Sequence, residues 1–215
     1  CYLMKKQIPV DIVFHPSWWN KHAGIVFDKD FFYHPLKRVE SERKMEKVLY
    51  DRFGKYGLGS DYSKDLPVIG PIHLAAGYLI SEMLGCRITY HENSAPQVIP
   101  MDNPTLKIDI DKAFQSDGFR KLTTLIDALK TKYGYVTGDV NWSGVLNTAI
   151  DVRGNDILTD MMMYPEETSR YFKDIGSVIE KFVQYIFSHT GSSSISVNRT
   201  VRHLPKPVFL HSQCS

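Results

Sequence analysis

Apolar runs in this chain switch repeatedly between strand-like and helix-like spacing, and that alternation limits the folds open to it. The stretch from Gly134 to Phe172 shows it most clearly. "GYVTGDVNW" is a short strand pattern that ends in Gly, Asp, Asn, Trp and Ser and runs straight into an amphipathic pattern. Pro165-Glu166-Glu167 then opens another helix, with proline at its first position and acids where the helix dipole favours them. A strand that ends in polar residues and feeds directly into a helix presents those residues at its C-terminal edge. Repeated along a chain, this order predicts parallel strands covered by helices.

The rest of the sequence continues the pattern. "IPVDIVFHPSWWN" reads as a buried strand closing on His15-Pro16-Ser17. From Leu36 to Tyr56 apolar residues keep helical spacing, and Gly54 and Gly57 end the run. "GPIHLAAGYLISEMLG" predicts a helix stopped by Gly85, followed by a strand "CRITYHE" and a proline-punctuated loop from Ser94 to Pro104. Asp117 to Tyr133 is a helix that Asp117 can cap, with Phe119, Leu122, Leu125, Ile126 and Leu129 on one face. Helices are expected from about Gly144 to Met163 and from Pro165 to about Ser188, and "SSISVNRTV" and "KPVFLHS" supply the last strand patterns. About four strands amount to half of a (β/α)8 barrel. The expected fold class is therefore α/β of the TIM-barrel type, with residues 1–215 forming one partial domain that covers its N-terminal half.

Composition removes several function classes. Lys and Arg number 26 against 24 Asp and Glu, and the two signs are interspersed, so no basic stripe offers a nucleic-acid footprint. No apolar run reaches the roughly 18 to 20 residues of a membrane span. Cys1, Cys86 and Cys214 are too few and too scattered for a disulfide framework, so a cytoplasmic setting is expected. Cys1 enters a strand pattern without a spacer, which argues against a lipid anchor. Starting at Cys1 and stopping soon after an apolar run, the chain is expected to be part of a longer one.

In a parallel barrel the ligand sits at the C-terminal ends of the strands. That rule selects His15, Trp18 and Trp19; His91 and Glu92; Asp139, Asn141, Trp142 and Ser143; Arg199; and His211 with Cys214. The set is aromatic and polar and suits a large, flat, partly polar ligand. His15, His91 and Asp139 are the acid/base candidates; Trp18, Trp19, Glu92, Asn141, Trp142, Ser143 and Arg199 are the ligand contacts. Each has a structural alternative. The Trp18-Trp19 pair can be a hydrophobic plug, His91 and Glu92 can orient a loop, and Asp139 or Asn141 can cap the next helix. His211 and Cys214 could hold a metal or form a thiolate and its base, although two ligands do not complete a zinc site. Met161 to Met163 reads as core packing beside Leu158.

From Trp142 to Phe172 the chain resembles the uroporphyrinogen decarboxylase superfamily. Gly144 to Ala149 stands where that family has a Gly-Pro-aromatic-Thr-like turn, and Tyr164-Pro165-Glu166 where it steps into the next helix. "EMLGCRITYHENSAPQV" is similar to its order of Leu-Gly, strand and Ala-Pro loop, here Leu84-Gly85 and Ala95-Pro96. The resemblance runs from about Ile8 to the C-terminus. It implies either porphyrinogen decarboxylation or methyl transfer between a corrinoid (cobalamin) and a thiol such as coenzyme M, with a tetrapyrrole-type ligand or a corrinoid protein as partner.

Three departures favour the methyltransferase branch. The decarboxylases' N-terminal Arg-rich segment has no counterpart in "IPVDIVFHPSWWNKHAG", their central Asp falls at Ala76, and their Tyr falls near Asp151. Without that acid, four pyrrole N–H groups would lose their charged acceptor. Glu82 before Leu84-Gly85 is similar to the methyltransferase pattern Glu-Ala-x-x-Leu-Gly. That branch implies a zinc held by His-x-Cys and a later Cys, which lowers the pKa of the thiol. The matching segment would lie beyond Ser215, and His211 and Cys214 have a different spacing. Decarboxylation would need a rearranged anchor such as Arg199 or Arg202. A non-catalytic half barrel would use its open edges to pair with a partner or a second copy.

Overall fold

The computed structural model describes residues 14–61, 64–70, 77–138 and 140–191. Three helices open the described chain: α1 (Pro16–Ala23), α2 (Lys29–Tyr33) and α3 (Pro35–Phe53). Proline at the first position of α1 and α3 costs no hydrogen bond, because that N–H has no partner inside a helix. His15 caps α1 by accepting from the Ser17 backbone N–H at 3.1 Å. Asp28 caps α2 by accepting from Phe31 at 2.9 Å. A single 3-10 turn, Gly54–Tyr56, follows α3, and Gly57 at φ 80° supplies the left-handed stop.

Strand β1 (Val68–Ile69) precedes α4 (Tyr78–Met83), and β2 (Arg87–His91) and β3 (Ser94–Ile99) form an antiparallel hairpin. Next come α5 (Ile110–Ala113), α6 (Asp117–Tyr133) and β4 (Thr137–Gly138), which pairs in parallel with β1. The last elements are α7 (Val145–Arg153), α8 (Asp156–Met163) and α9 (Pro165–Thr190).

Several sequence expectations need correction. Residues Ser94 to Ile99 are a strand, because Pro96 falls where the β2–β3 register shifts between Thr89 and His91 and no ladder N–H is demanded of it. "CRITYHE" accordingly joins an antiparallel hairpin and not the parallel pair. Ser116, one residue before Asp117, caps α6 through its hydroxyl, which accepts from Phe119 N–H at 3.2 Å. Asp117 instead pairs with Arg120. The helix expected from Gly144 to Met163 is two helices, broken at Gly154, whose φ of 79° is left-handed. A Cβ there would also stand 2.6 Å from the Asp102 carboxylate. The strands expected before Phe14 and after Gly191 lie outside the described residues.

Two apolar clusters hold these elements. The larger gathers α4, α6, α7 and α9 around β1 and β4. Helix α9 supplies Tyr171, Ile175, Val178, Ile179, Phe182 and Ile186 from one face, and each such side chain contributes roughly 1.5 to 3 kcal/mol when fully buried. The smaller cluster packs Trp19, Ile25, Phe27, Phe31, Met45 and Leu49 between α1, α2 and α3. The hairpin ties to this second cluster through the Glu92 carbonyl, which accepts from Phe27 N–H at 3.0 Å and from the Asn20 side chain at 3.3 Å.

Candidate functional site

The parallel pair defines where strand C-terminal ends meet. Val68 stands opposite Thr137 and Ile69 opposite Gly138. Gly138 has φ 100°, and a Cβ on it would lie 2.4 Å from the Ile69 carbonyl oxygen, so only glycine permits this approach. Beyond it, Val140, Asn141 and Trp142 are buried, at 8%, 6% and 9% exposure. The Asn141 side-chain oxygen accepts from Trp142 N–H at 3.0 Å, which fixes the turn into α7. Gly77, at the start of α4, sits directly against this turn. A Cβ on Gly77 would be 1.7 Å from Ser143 N and 2.0 Å from the Trp142 carbonyl carbon.

Arg38, on α3, holds the other strand end and is 1% exposed. Its Nε donates to the Val68 carbonyl at 3.0 Å and its Nη2 to the Gly70 carbonyl at 2.8 Å. The same Nη2 stands 3.0 Å from Glu42, itself buried, and the guanidinium lies over the Phe31 ring at 4.7 Å. A buried cation is tolerable when it is paired, and Arg38 is paired with Glu42 while its Nε and Nη2 serve the two carbonyls. Glycine contact and a neutralised arginine thus give the strand ends a rigid backbone floor.

Two polar clusters lie nearby on α4. Tyr33 and Tyr78 hydroxyls meet at 3.3 Å, and burial, neighbouring phenols and Glu82 hold both well above the usual phenol range. Tyr90 is pushed up to about 12, chiefly by burial. Ser81 donates to the Asp151 carboxylate at 2.7 Å, and burial raises the Asp151 carboxyl above its ordinary value. Cys86 donates its thiol proton to the Asp151 backbone carbonyl at 3.3 Å, and burial pushes the thiol up to about 12. A thiol so protonated is a poor nucleophile. Iodoacetamide at about pH 8 is expected to leave Cys86 unmodified in the native protein and to label it after unfolding. Peptide mass mapping reads this, and native labelling at the unfolded rate would contradict the burial.

The sequence candidates are distributed unevenly. Asn141, Trp142 and Ser143 stand together after β4. His15 is exposed as the α1 cap. Trp19 is 2% exposed in the smaller cluster, and Trp18 packs on Phe14 at 4.4 Å with Arg52 over its ring. These two tryptophans therefore share no cluster with Trp142, which belongs to the larger one. His91 and Glu92 are exposed at the hairpin tip. Asp139, Arg199, His211 and Cys214 lie outside the described residues. Met161, Met162 and Met163, expected in the core, are 42%, 84% and 64% exposed on α8. Short α8 turns its buried side, Ile157 and Asp160, away from them.

Arg38 escaped the sequence reading, although a signal existed. Arg38, Glu42, Met45 and Leu49 recur at helical spacing, so the charged pair falls on the same stripe as the buried apolar residues.

No protein-family model and no curated protein sequence matches the chain. A solved structure that it resembles is a methyltransferase from Methanosarcina mazei, with 14% sequence identity and a TM-score of 0.50. The likeness covers 84% of this chain and 52% of that one. What the two share is fold. The chain spans about half the length of the structure it matches.

Among the described residues no helix is long and apolar enough to cross a membrane. Also among them, no group of three or more His, Cys, Asp or Glu could hold a metal ion.

Proposed function

We propose that this chain is part of a (β/α)8-type enzyme of methyl transfer, with its small substrate seated over the C-terminal ends of β1 and β4. The supporting observation is the floor closed by Gly77, Gly138 and Arg38, with Asn141 to Ser143 at its edge, in a fold shared with half of a methyltransferase. The donor and acceptor implied by the sequence resemblance are a corrinoid and a thiol. In this reading the corrinoid is carried by a partner corrinoid protein and brought to this floor. The chain's own contribution is to orient the acceptor: Asn141 fixes the backbone turn that Ser143 follows, and the glycines let that turn pack closely on α4 and β4 on β1.

The test is anaerobic incubation of the full chain with methylcobalamin, as surrogate donor, and coenzyme M. Mass spectrometry is expected to find methylated thiol above the rate without protein, and Asn141→Ala is expected to lower that rate about tenfold with native circular dichroism. Absence of methylated thiol, together with conversion of uroporphyrinogen to coproporphyrinogen by the same preparation, would replace this reading with decarboxylation.

One observation favours a second reading, assembly. Among the described residues the parallel sheet is two strands of two residues each, and such a short pair leaves its outer edges open to another copy or chain. A solution mass of twice the chain's 24.7 kDa would support it, and a monomer would oppose it.

A further inference from the structure

A concave site lies away from the strand ends, and its argument does not depend on the methyl-transfer reading. A cavity of about 940 Å³ is bounded by the end of α4, the start of β2, the segment before α5, α5 itself and the first turn of α6. That volume is within the range of roughly 300 to 1,000 Å³ usual for small-molecule pockets. Its charged lining is five cations and three carboxylates. Two of the carboxylates are already paired: Glu82 in the wall with Lys121 at 2.7 Å, and Asp117 on the exposed rim with Arg120. The third, Asp109, uses its side chain to cap α5 by accepting from Lys112 N–H at 2.9 Å.

Arg87, Lys107 and Lys112 remain, three cations against the one carboxylate of Asp109, which leaves the lining net positive. Among the described residues none of the three has an ion-pair partner. They come from three different segments, β2, the loop before α5, and α5, yet line one cavity. Three like charges around a concavity repel one another and focus a positive potential into it. Glu82 and Lys121 are packed in place in the wall. Gly118 packs so closely on Glu82 that a Cβ would meet its carboxyl carbon at 3.0 Å, and Lys121 lies over the Tyr33 ring at 5.8 Å, next to the buried Tyr33–Tyr78 contact.

We propose that this cavity binds a small anion carrying two or more negative charges, held by Arg87, Lys107 and Lys112. Phosphates and polycarboxylates share that chemistry. An elongated nucleic acid does not fit the observation, because the cations close on a cavity and do not run in a stripe.

Isothermal titration of the full chain with pyrophosphate and, separately, with citrate tests the proposal. Saturable binding of either supports it, and the tighter of the two identifies phosphate or carboxylate as the source of the charge. In the triple variant Arg87→Gln, Lys107→Gln, Lys112→Gln affinity is expected to fall about tenfold or more, since charge-assisted hydrogen bonds are lost. Lys173→Gln, a cation on α9 that lines a different cavity, is expected to leave affinity unchanged. All four side chains are on the surface, so circular dichroism should stay native in both proteins. No saturable binding of either anion up to about 10 mM would overturn the proposal, as would equal affinity in the triple variant and the wild type.

Discussion

Gly77→Ala is expected to destabilise the protein by about 3 kcal/mol or more, lowering its melting temperature by roughly 6 to 12 °C. The new methyl would coincide with main-chain atoms, at 1.7 Å from Ser143 N and 2.4 Å from Trp142 Cα, and main chain cannot rotate aside as a long side chain can. Either α4 or the turn from Asn141 to Gly144 must therefore move. The cost is one of space alone, because Gly77 has φ −65°, which any residue adopts. Gly176→Ala in α9 is the matched control. Nothing lies within 4 Å of its added Cβ, so alanine is expected to stabilise by about 0.5 to 1 kcal/mol. If Gly77→Ala melted within a degree or so of wild type, the α4 contact with the strand end would be disproved.

Arg38→Met should cost about 3 to 5 kcal/mol, because it removes the cation beside the buried Glu42 carboxylate and leaves the Val68 and Gly70 carbonyls without their Arg38 donors. The double variant Arg38→Met, Glu42→Leu is expected to recover part of that loss, since the buried carboxylate goes with the cation and the cost at the two carbonyls is what remains. Arg38→Lys should not rescue. A lysine ammonium is a point donor and cannot span two carbonyls and a carboxylate with the planar fork that arginine presents. Chemical denaturation reads all three. A single-variant cost below about 1 kcal/mol would mean that water, and not Arg38, serves the end of β1.

What could be read from the sequence follows from element length. Helices α3, α6 and α9 run for 19, 17 and 26 residues, long enough for a 3.6-residue period to show, and their ends carry the glycines and prolines that set their limits. Strands β1 and β4 have two residues each, too few for any period, so β1 passed unnoticed between Pro67 and Gly70. The parallel pairing of β1 with β4 is a contact across about 70 residues of chain that local patterning does not encode. At the candidate site, Asn141 to Ser143 were legible as polar residues after a strand. Arg38 and Glu42 share a stripe with Met45 and Leu49, but that signal was masked because a charged pair at helical spacing ordinarily faces water. The aromatic pair Trp18-Trp19 misled in the opposite direction: placed after a strand-like run, it suggested a ligand face, and Trp19 proved to be packing for the α1–α3 cluster.

Hydrogen–deuterium exchange of the full chain, with and without methylcobalamin and coenzyme M together, tests most directly whether ligands meet the protein at these strand ends. The account predicts slowed exchange at residues 140–146 and 77–80, the turn after β4 and the glycine start of α4. Ligand-dependent protection that spared both segments and fell elsewhere, or no protection at all, would contradict it.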